Sequence, residues 1–184
     1  MSKTAIFMAD GVEEIEALAV VDLLRRAGEE IDLINIHDHD MVCGSHRIVI
    51  ATDKKLSAFN ADEYDGVVLP GGKVGTDNLM TCKAVSDTAK AFAAAGKLVS
   101  AICAAPTVLG AAGVLNGKKA ICYPGLEEKL TGAIVTTEEV VCDGNIITSR
   151  GMGTAIPFGL ALISWYQDEA AAKDMAEKIV FRMA

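Results

Sequence analysis

Residues 98–106 read Leu98-Val99-Ser100-Ala101-Ile102-Cys103-Ala104-Ala105-Pro106. The first five are apolar or small without alternation, the pattern of a strand covered on both faces. Cys103 follows at once, and from Ala104 onward the pattern is helical. This uncharged stretch runs from Leu98 to Gly117, 20 residues, nominally enough to cross a bilayer. Pro106, Gly110, Gly113 and Asn116 interrupt it, so it reads as strand, tight turn and short helix rather than a membrane span. Outward from it the elements alternate. Thr4–Met8, Ile31–Ile36 and Gly66–Leu69 read as further apolar strands, and Lys119–Ile121 as a shorter one. Glu13–Ala27 reads as a helix, with Glu13, Glu14 and Glu16 at its start, Arg25 and Arg26 at its end and Gly28 as its stop. Ala84–Ala95, Thr154–Gln167 and Ala170–Met183 read as helices. His37–Asp40 reads as a polar turn, Arg47–Thr52 as an edge or hairpin strand, and Val140–Asp143 with Ile146–Ser149 as a hairpin. Alternation of this kind predicts an α/β fold, a three-layer sandwich on a mostly parallel sheet. No repeat or linker divides residues 1–184, so one domain is expected.

The chain has 184 residues, 51% of them hydrophobic and 23% charged, with a net charge of −8. That acidity, with no basic cluster, argues against a nucleic-acid partner. Aromatic residues are only 5%, too few for a base-stacking platform. The run Thr4–Ala9 is cut by Asp10, too short for a signal-peptide core, so a cytoplasmic protein with no membrane partner is expected. Five cysteines, an odd number with no CxxC pair, point to reduced thiols rather than disulfides or a zinc knuckle. Residues Gly113–Lys119 fall one residue short of a phosphate-binding loop, and Gly151–Ile156 lacks the third glycine of a dinucleotide fingerprint. His37 and His39 read better as turn residues than as metal ligands. Neither a metal nor an organic cofactor is expected.

Three strand ends carry candidate chemistry, and ligands of parallel sheets sit beyond the carboxyl ends of strands. Cys103, between an apolar strand and a helix, matches a nucleophile elbow, and a helix N-terminus favours thiolate. The alternative is a buried structural thiol. Gly71-Gly72 follows Leu69-Pro70 and would let backbone N–H groups approach a ligand. With the N–H of Ala104 these could form an oxyanion hole beside Cys103; the alternative is a plain turn. Glu16 stands among Ile15, Ala17, Leu18 and Ala19, and a carboxyl in an apolar stripe suits a proton-transfer role. A solvated first helical turn is the alternative for Glu13, Glu14 and Glu16 together.

Five segments in order resemble the ThiJ/PfpI superfamily, and its DJ-one branch most closely, over about Lys3 to Trp165. They are Gly11-Val-Glu-Glu-Ile-Glu16, Arg25-Arg-Ala-Gly28, Leu69-Pro-Gly-Gly72, Ala101-Ile-Cys-Ala-Ala-Pro106 and Thr148-Ser-Arg-Gly151. The resemblance implies a flavodoxin-like sandwich and a homodimer. It implies a reactive Cys103 hydrogen-bonded to a protonated Glu16, with backbone donors at Gly72 and Ala104. It further implies a cofactor-free glyoxalase or deglycase acting on methylglyoxal or its adducts, a small aldehyde or glycated substrate. A redox sensor or chaperone in which Cys103 is oxidised to sulfinate, and a cysteine hydrolase, are the other readings. Ala104 replaces the histidine that follows the cysteine in the protease-like branch, which argues against peptidase activity. Tyr123 stands where the DJ-one branch often has a histidine, and it could hydrogen-bond a substrate oxygen. His46 aligns with a basic residue that reaches toward the partner's cysteine in that branch, which implies a place at a dimer interface; the alternative is a solvent-exposed hairpin histidine.

Overall fold

The computed structural model describes residues 2–181. In chain order the elements are β1 (Lys3–Met8), α1 (Glu14–Arg26), β2 (Glu30–Asn35), β3 (Met41–Cys43), β4 (Val49–Ala51), β5 (Lys54–Lys55), β6 (Gly66–Leu69), α2 (Lys73–Thr81) and α3 (Lys83–Ala94). Then follow β7 (Leu98–Ile102), α4 (Pro106–Ala111), β8 (Lys119–Ala120), β9 (Ile134–Val135), β10 (Val140–Asp143), β11 (Ile146–Ser149), α5 (Ala155–Tyr166) and α6 (Glu169–Lys178).

Seven strands form one sheet in the order β10-β11-β7-β6-β1-β2-β5. Every pairing is parallel except β10 with β11, which is antiparallel. The sheet is mostly parallel and the fold is flavodoxin-like, as expected. Side chains alternate between two cores, as a strand's two-residue period requires. Ile6, Met8, Val68 and Ile102 enter the core shared with α1, α5 and α6. Ala5, Phe7, Leu69 and Ala101 enter the other, shared with α2, α3 and α4. Sheet and helices thus make three layers.

α1 forms because Ala17, Val20, Val21 and Leu24 recur on one buried face at helical spacing. Glu13 caps it by accepting the Glu16 N–H at 2.8 Å, and Gly28 ends it at φ +83°.

Several sequence expectations change. α2 was not foreseen: Lys73–Thr81 offers a single large buried apolar residue, Leu79, so its helical pattern is faint. Gly75 within it is required, because a Cβ there would lie 2.8 Å from the Val12 nitrogen. The helix after Cys103 starts at Pro106, not Ala104, because residues 103–105 are spent on the turn. Lys119-Ala120 is a strand, but it pairs with β9 outside the main sheet. Arg47–Thr52 contributes only Val49–Ala51, which pairs with the unforeseen β3 as a separate hairpin. The last helix stops at Lys178, and the Met183 end expected for it lies outside the described residues. No helix among the described residues is long and apolar enough to cross a membrane.

Candidate active site around Cys103

The order β2-β1-β6-β7 reverses direction at β1, and the crevice above β1 and β6 is where such sheets bind ligands. Three loops meet there, one from each of β1, β6 and β7.

Cys103 leaves β7 with φ +64°, in the left-handed region that a residue with a Cβ occupies at a cost of roughly 1–2 kcal/mol. Two hydrogen bonds hold it. Its N–H donates to the Ser149 carbonyl at 2.9 Å, and its carbonyl accepts the Tyr123 N–H at 2.7 Å. The elbow read from the sequence is therefore present. The backbone N–H groups of Gly72 and Ala104 both face the sulfur, so the two expected donors converge on it.

The Pro70-Gly71-Gly72 turn is dictated by crowding. A Cβ on Gly71 would lie 2.4 Å from Glu16 Oε2 and 2.6 Å from Cys103 Cβ. A Cβ on Gly72, at φ +92°, would lie 2.3 Å from the Gly11 carbonyl oxygen. Only glycine lets the β6 loop pass between the acid and the thiol.

Glu16 is fully buried. Its Oε2 accepts the Gly71 N–H at 2.9 Å, and Oε1 has no partner of ordinary geometry. Burial, joined by the charge of Glu13, pushes this carboxyl up to about 7, although the Cys103 thiol and the Gly71 N–H pull it down. Burial, then the charge and hydrogen bond of Glu16, push the Cys103 thiol up to about 12 against the two backbone N–H groups. This departs from the thiolate expected of a helix N-terminus, for two reasons. The helix begins three residues later, and the sulfur sits against a carboxyl in an apolar pocket. The two acids therefore share one proton across neutral pH. The carboxyl is the stronger acid of the two, so the shared proton rests on the sulfur, with Glu16 placed to take it when the thiol reacts.

A pocket of about 420 Å³ opens over the sulfur. Ala104, Thr107, Tyr123, Pro124 and Leu126 line it from the β7 side and the following loop, and Lys73, Thr76 and Asp77 from α2. Tyr123 is carried by a loop whose Ile121 N–H donates to Thr148 Oγ1 at 3.0 Å. Lys73, Thr76 and Asp77 escaped sequence reasoning with α2 itself. The one available signal was the paired glycine before them, a natural place for a helix to begin.

His46 is not part of this cluster. Its ring Nδ1 lies 3.0 Å from Glu14 Oε2, and its N–H donates to Glu14 Oε1 at 2.7 Å. Its side chain is 73% exposed. The only trio of metal-ligand type among the described residues is Glu13, Glu14 and His46. Glu13 and Glu14 are already engaged, one in capping α1 and the other in holding the hairpin.

A cysteine at a strained strand end, faced by a buried carboxyl and two backbone donors over a flavodoxin-like sheet, defines a class of elbow-cysteine proteins. Residues 2–165 match the model of the DJ-1/PfpI family, and the chain belongs to that family. It is 37% identical over 182 residues to the Drosophila melanogaster protein dj-1beta, covering 97% of this chain and 95% of that one. It is 34% identical over 153 residues to a deglycase of Pyrococcus abyssi, covering 82% of this chain and 91% of the other. Oxidized DJ-1 of Toxoplasma gondii superposes with a TM-score of 0.95 at 33% identity, with both chains fully covered.

Proposed function

We propose that this protein is a cofactor-free, cysteine-dependent glyoxalase or deglycase of the stress-protection type, acting on methylglyoxal or its adducts through Cys103. The observation that carries this is the convergence on one sulfur of Gly72 N–H, Ala104 N–H and the Glu16 carboxyl. Glu16 takes the thiol proton as the Cys103 sulfur adds to the aldehyde carbon. The carbonyl π pair moves to oxygen, and the alkoxide takes the proton held by Glu16. The regenerated carboxylate removes the C1 hydrogen as a proton and returns it to C2, while the C1 hydroxyl proton passes to the C2 oxygen, so C1 is oxidised and C2 reduced within one molecule. Water then hydrolyses the lactoyl thioester to lactate and frees Cys103. Gly72 and Ala104 stabilise the transient oxyanion, and Tyr123 offers a phenol to the second substrate oxygen. The deglycase named among the relatives supports the substrate class. The test is lactate formation from methylglyoxal by wild type and Cys103→Ser; equal rates would end the proposal.

A redox role is the second reading, favoured by the oxidized state of the Toxoplasma relative: peroxide would convert Cys103 to sulfinate, held by the same donors. A homodimer accords with exposed apolar residues on two neighbouring elements, Ile15 and Leu18 on α1 and Met41, Ile48 and Val49 on the β3–β4 hairpin. His46 stands on that hairpin, where a partner could reach it. Light scattering at micromolar concentration tests the assembly. Five free cysteines suit a reducing, cytoplasmic setting, and fractionation of cells checks it.

A further inference from the structure

The charge around the pocket runs against the charge of the chain. The protein carries −8 overall, yet two lysines and one carboxylate, Lys73, Lys129 and Asp77, stand in the lining above Cys103. Both lysines are exposed, and neither forms an ion pair among the described residues. They come from separate elements: Lys73 opens α2, and Lys129 closes the short 3-10 turn Glu127–Lys129. Asp77 lies one turn beyond Lys73. The rest of the lining is largely apolar, with Ala104, Pro124 and Leu126. The volume, about 420 Å³, is several times what a three-carbon aldehyde fills.

We propose that this pocket selects aldehydes that carry a carboxylate, and that Lys73 and Lys129 are its specificity-determining residues. The aldehyde end meets the half-buried sulfur, and the carboxylate end lies at the exposed rim between the two ammonium groups. At the rim, two ammonium groups face the single carboxylate of Asp77, and the positive charge left over there matches a singly charged acid. The inference rests on Cys103 being the reacting thiol. The addition itself forms one S–C bond and opens the carbonyl π bond. The alkoxide takes the Glu16 proton, and nothing leaves.

Iodoacetate and iodoacetamide differ in charge and little in shape. Each alkylates a thiolate by forming S–C and expelling iodide. The rate ratio of the two reagents at Cys103, read by peptide mapping, reports attraction for a carboxylate, with exposed Cys43 as the internal reference. The two rim ammonium groups should each change the ratio roughly threefold at low salt. Lys73→Gln and Lys129→Gln should therefore each lower it by about that factor, Asp77→Asn should raise it, and 0.5 M salt should flatten all three differences. Succinic semialdehyde, whose carboxylate lies two methylenes from its aldehyde, should protect Cys103 from iodoacetamide better than butanal in wild type, and lose that advantage in the double lysine variant. If Cys103 labels first but its ratio is unmoved by either lysine substitution, the carboxylate subsite is refuted and the reactive thiol stands. If Cys103 is slower than Cys43 with both reagents, the reactive thiol itself is refuted, and this inference with it.

Discussion

Glu14 and Glu16 lie two residues apart on the same helix, both are buried, and they end in opposite states. Glu14 accepts the His46 N–H at 2.7 Å, meets His46 Nδ1 at 3.0 Å and accepts the Ser45 hydroxyl at 3.1 Å. Burial alone would raise it, but these partners outweigh burial and bring it down to about 2. Glu16 has one backbone donor and an orphaned oxygen facing a thiol, and it rises to about 7. Being covered at the surface does not by itself set the charge of a carboxyl: Glu16 lies deep with few donors, and Glu14 lies shallow under several. The first glutamate holds a hairpin to a helix, and the second keeps a proton available at neutral pH.

Four substitutions test this contrast, starting with the largest expected effect. Cys103→Ser should reduce lactate formation from methylglyoxal to background, a loss of about a thousandfold or more, since a serine hydroxyl is barely ionised at this site. A thermal melt should show the variant folded. Retained turnover would place the chemistry elsewhere.

Glu16→Gln keeps a donor beside the sulfur but removes the transferable proton. Its turnover should fall by roughly 10²–10³, the ordinary worth of a positioned acid–base group. Stability should change with pH as well. The folded carboxyl binds its proton more tightly than the unfolded one, whose ordinary value is 4.5. Its stabilising contribution is therefore complete below pH 4.5 and is lost as pH rises through about 7. The loss is on the order of 3 kcal/mol. Urea titrations from pH 4.5 to 7.5 should show that slope in wild type and not in Glu16→Gln.

Glu14→Gln should leave turnover near wild type and cost stability, about 1–3 kcal/mol, by disturbing the bonds to His46 and Ser45. Here the sign reverses. The folded carboxyl is the stronger acid, so its contribution is present above pH 4.5 and is lost as pH falls toward 2. An acid titration followed by circular dichroism should find wild type and Glu14→Gln converging at low pH. If Glu14→Gln instead abolishes turnover while folded, the division between the two glutamates fails.

His46→Gln should show the smallest effect. Hydrogen bonding to Glu14, and then its charge, raise the imidazole above 6.5. The extra stability is thus present at pH 6 and lost as pH rises through that raised value. Melting temperatures of wild type and His46→Gln should differ more at pH 6 than at pH 8.5. Cys103 alkylation profiles of the two proteins should superimpose between pH 5.5 and 7.5 if His46 serves only Glu14. A difference would show an electrostatic link to the thiol, as expected of a histidine reaching a partner's site across a dimer.

Much of this was readable in the chain, where local pattern carries the physics. Leu98–Ile102, Gly66–Leu69 and Thr4–Met8 are buried on both faces, and their unbroken apolar runs say so. Gly71-Gly72 and Cys103 announce a tight loop and an elbow, and both are there. α2 stayed hidden because its helix is packed through Gly75 and Thr76 rather than through a large apolar stripe. β5 and β9 stayed hidden because two-residue strands carry no periodic signal.

The amino-acid sequence by itself determined the α/β alternation, the parallel sheet, the elbow at Cys103 and the small set of residues able to serve it. Those follow from near-neighbour spacing, which periodicity and turn chemistry reveal. Only the tertiary structure decided which glutamate would be a strut and which an acid. Glu14 and Glu16 have the same side chain and the same helix turn, but Glu16 lies deeper in the fold. Their difference comes from Ser45 and His46 arriving on one and Gly71 and Cys103 on the other, from loops 31 to 87 positions away in the chain. The apolar neighbours of Glu16 marked it in the chain as a carboxyl suited to proton transfer, but the depth and the donors that set the proton affinity of each glutamate come from the three-dimensional fold.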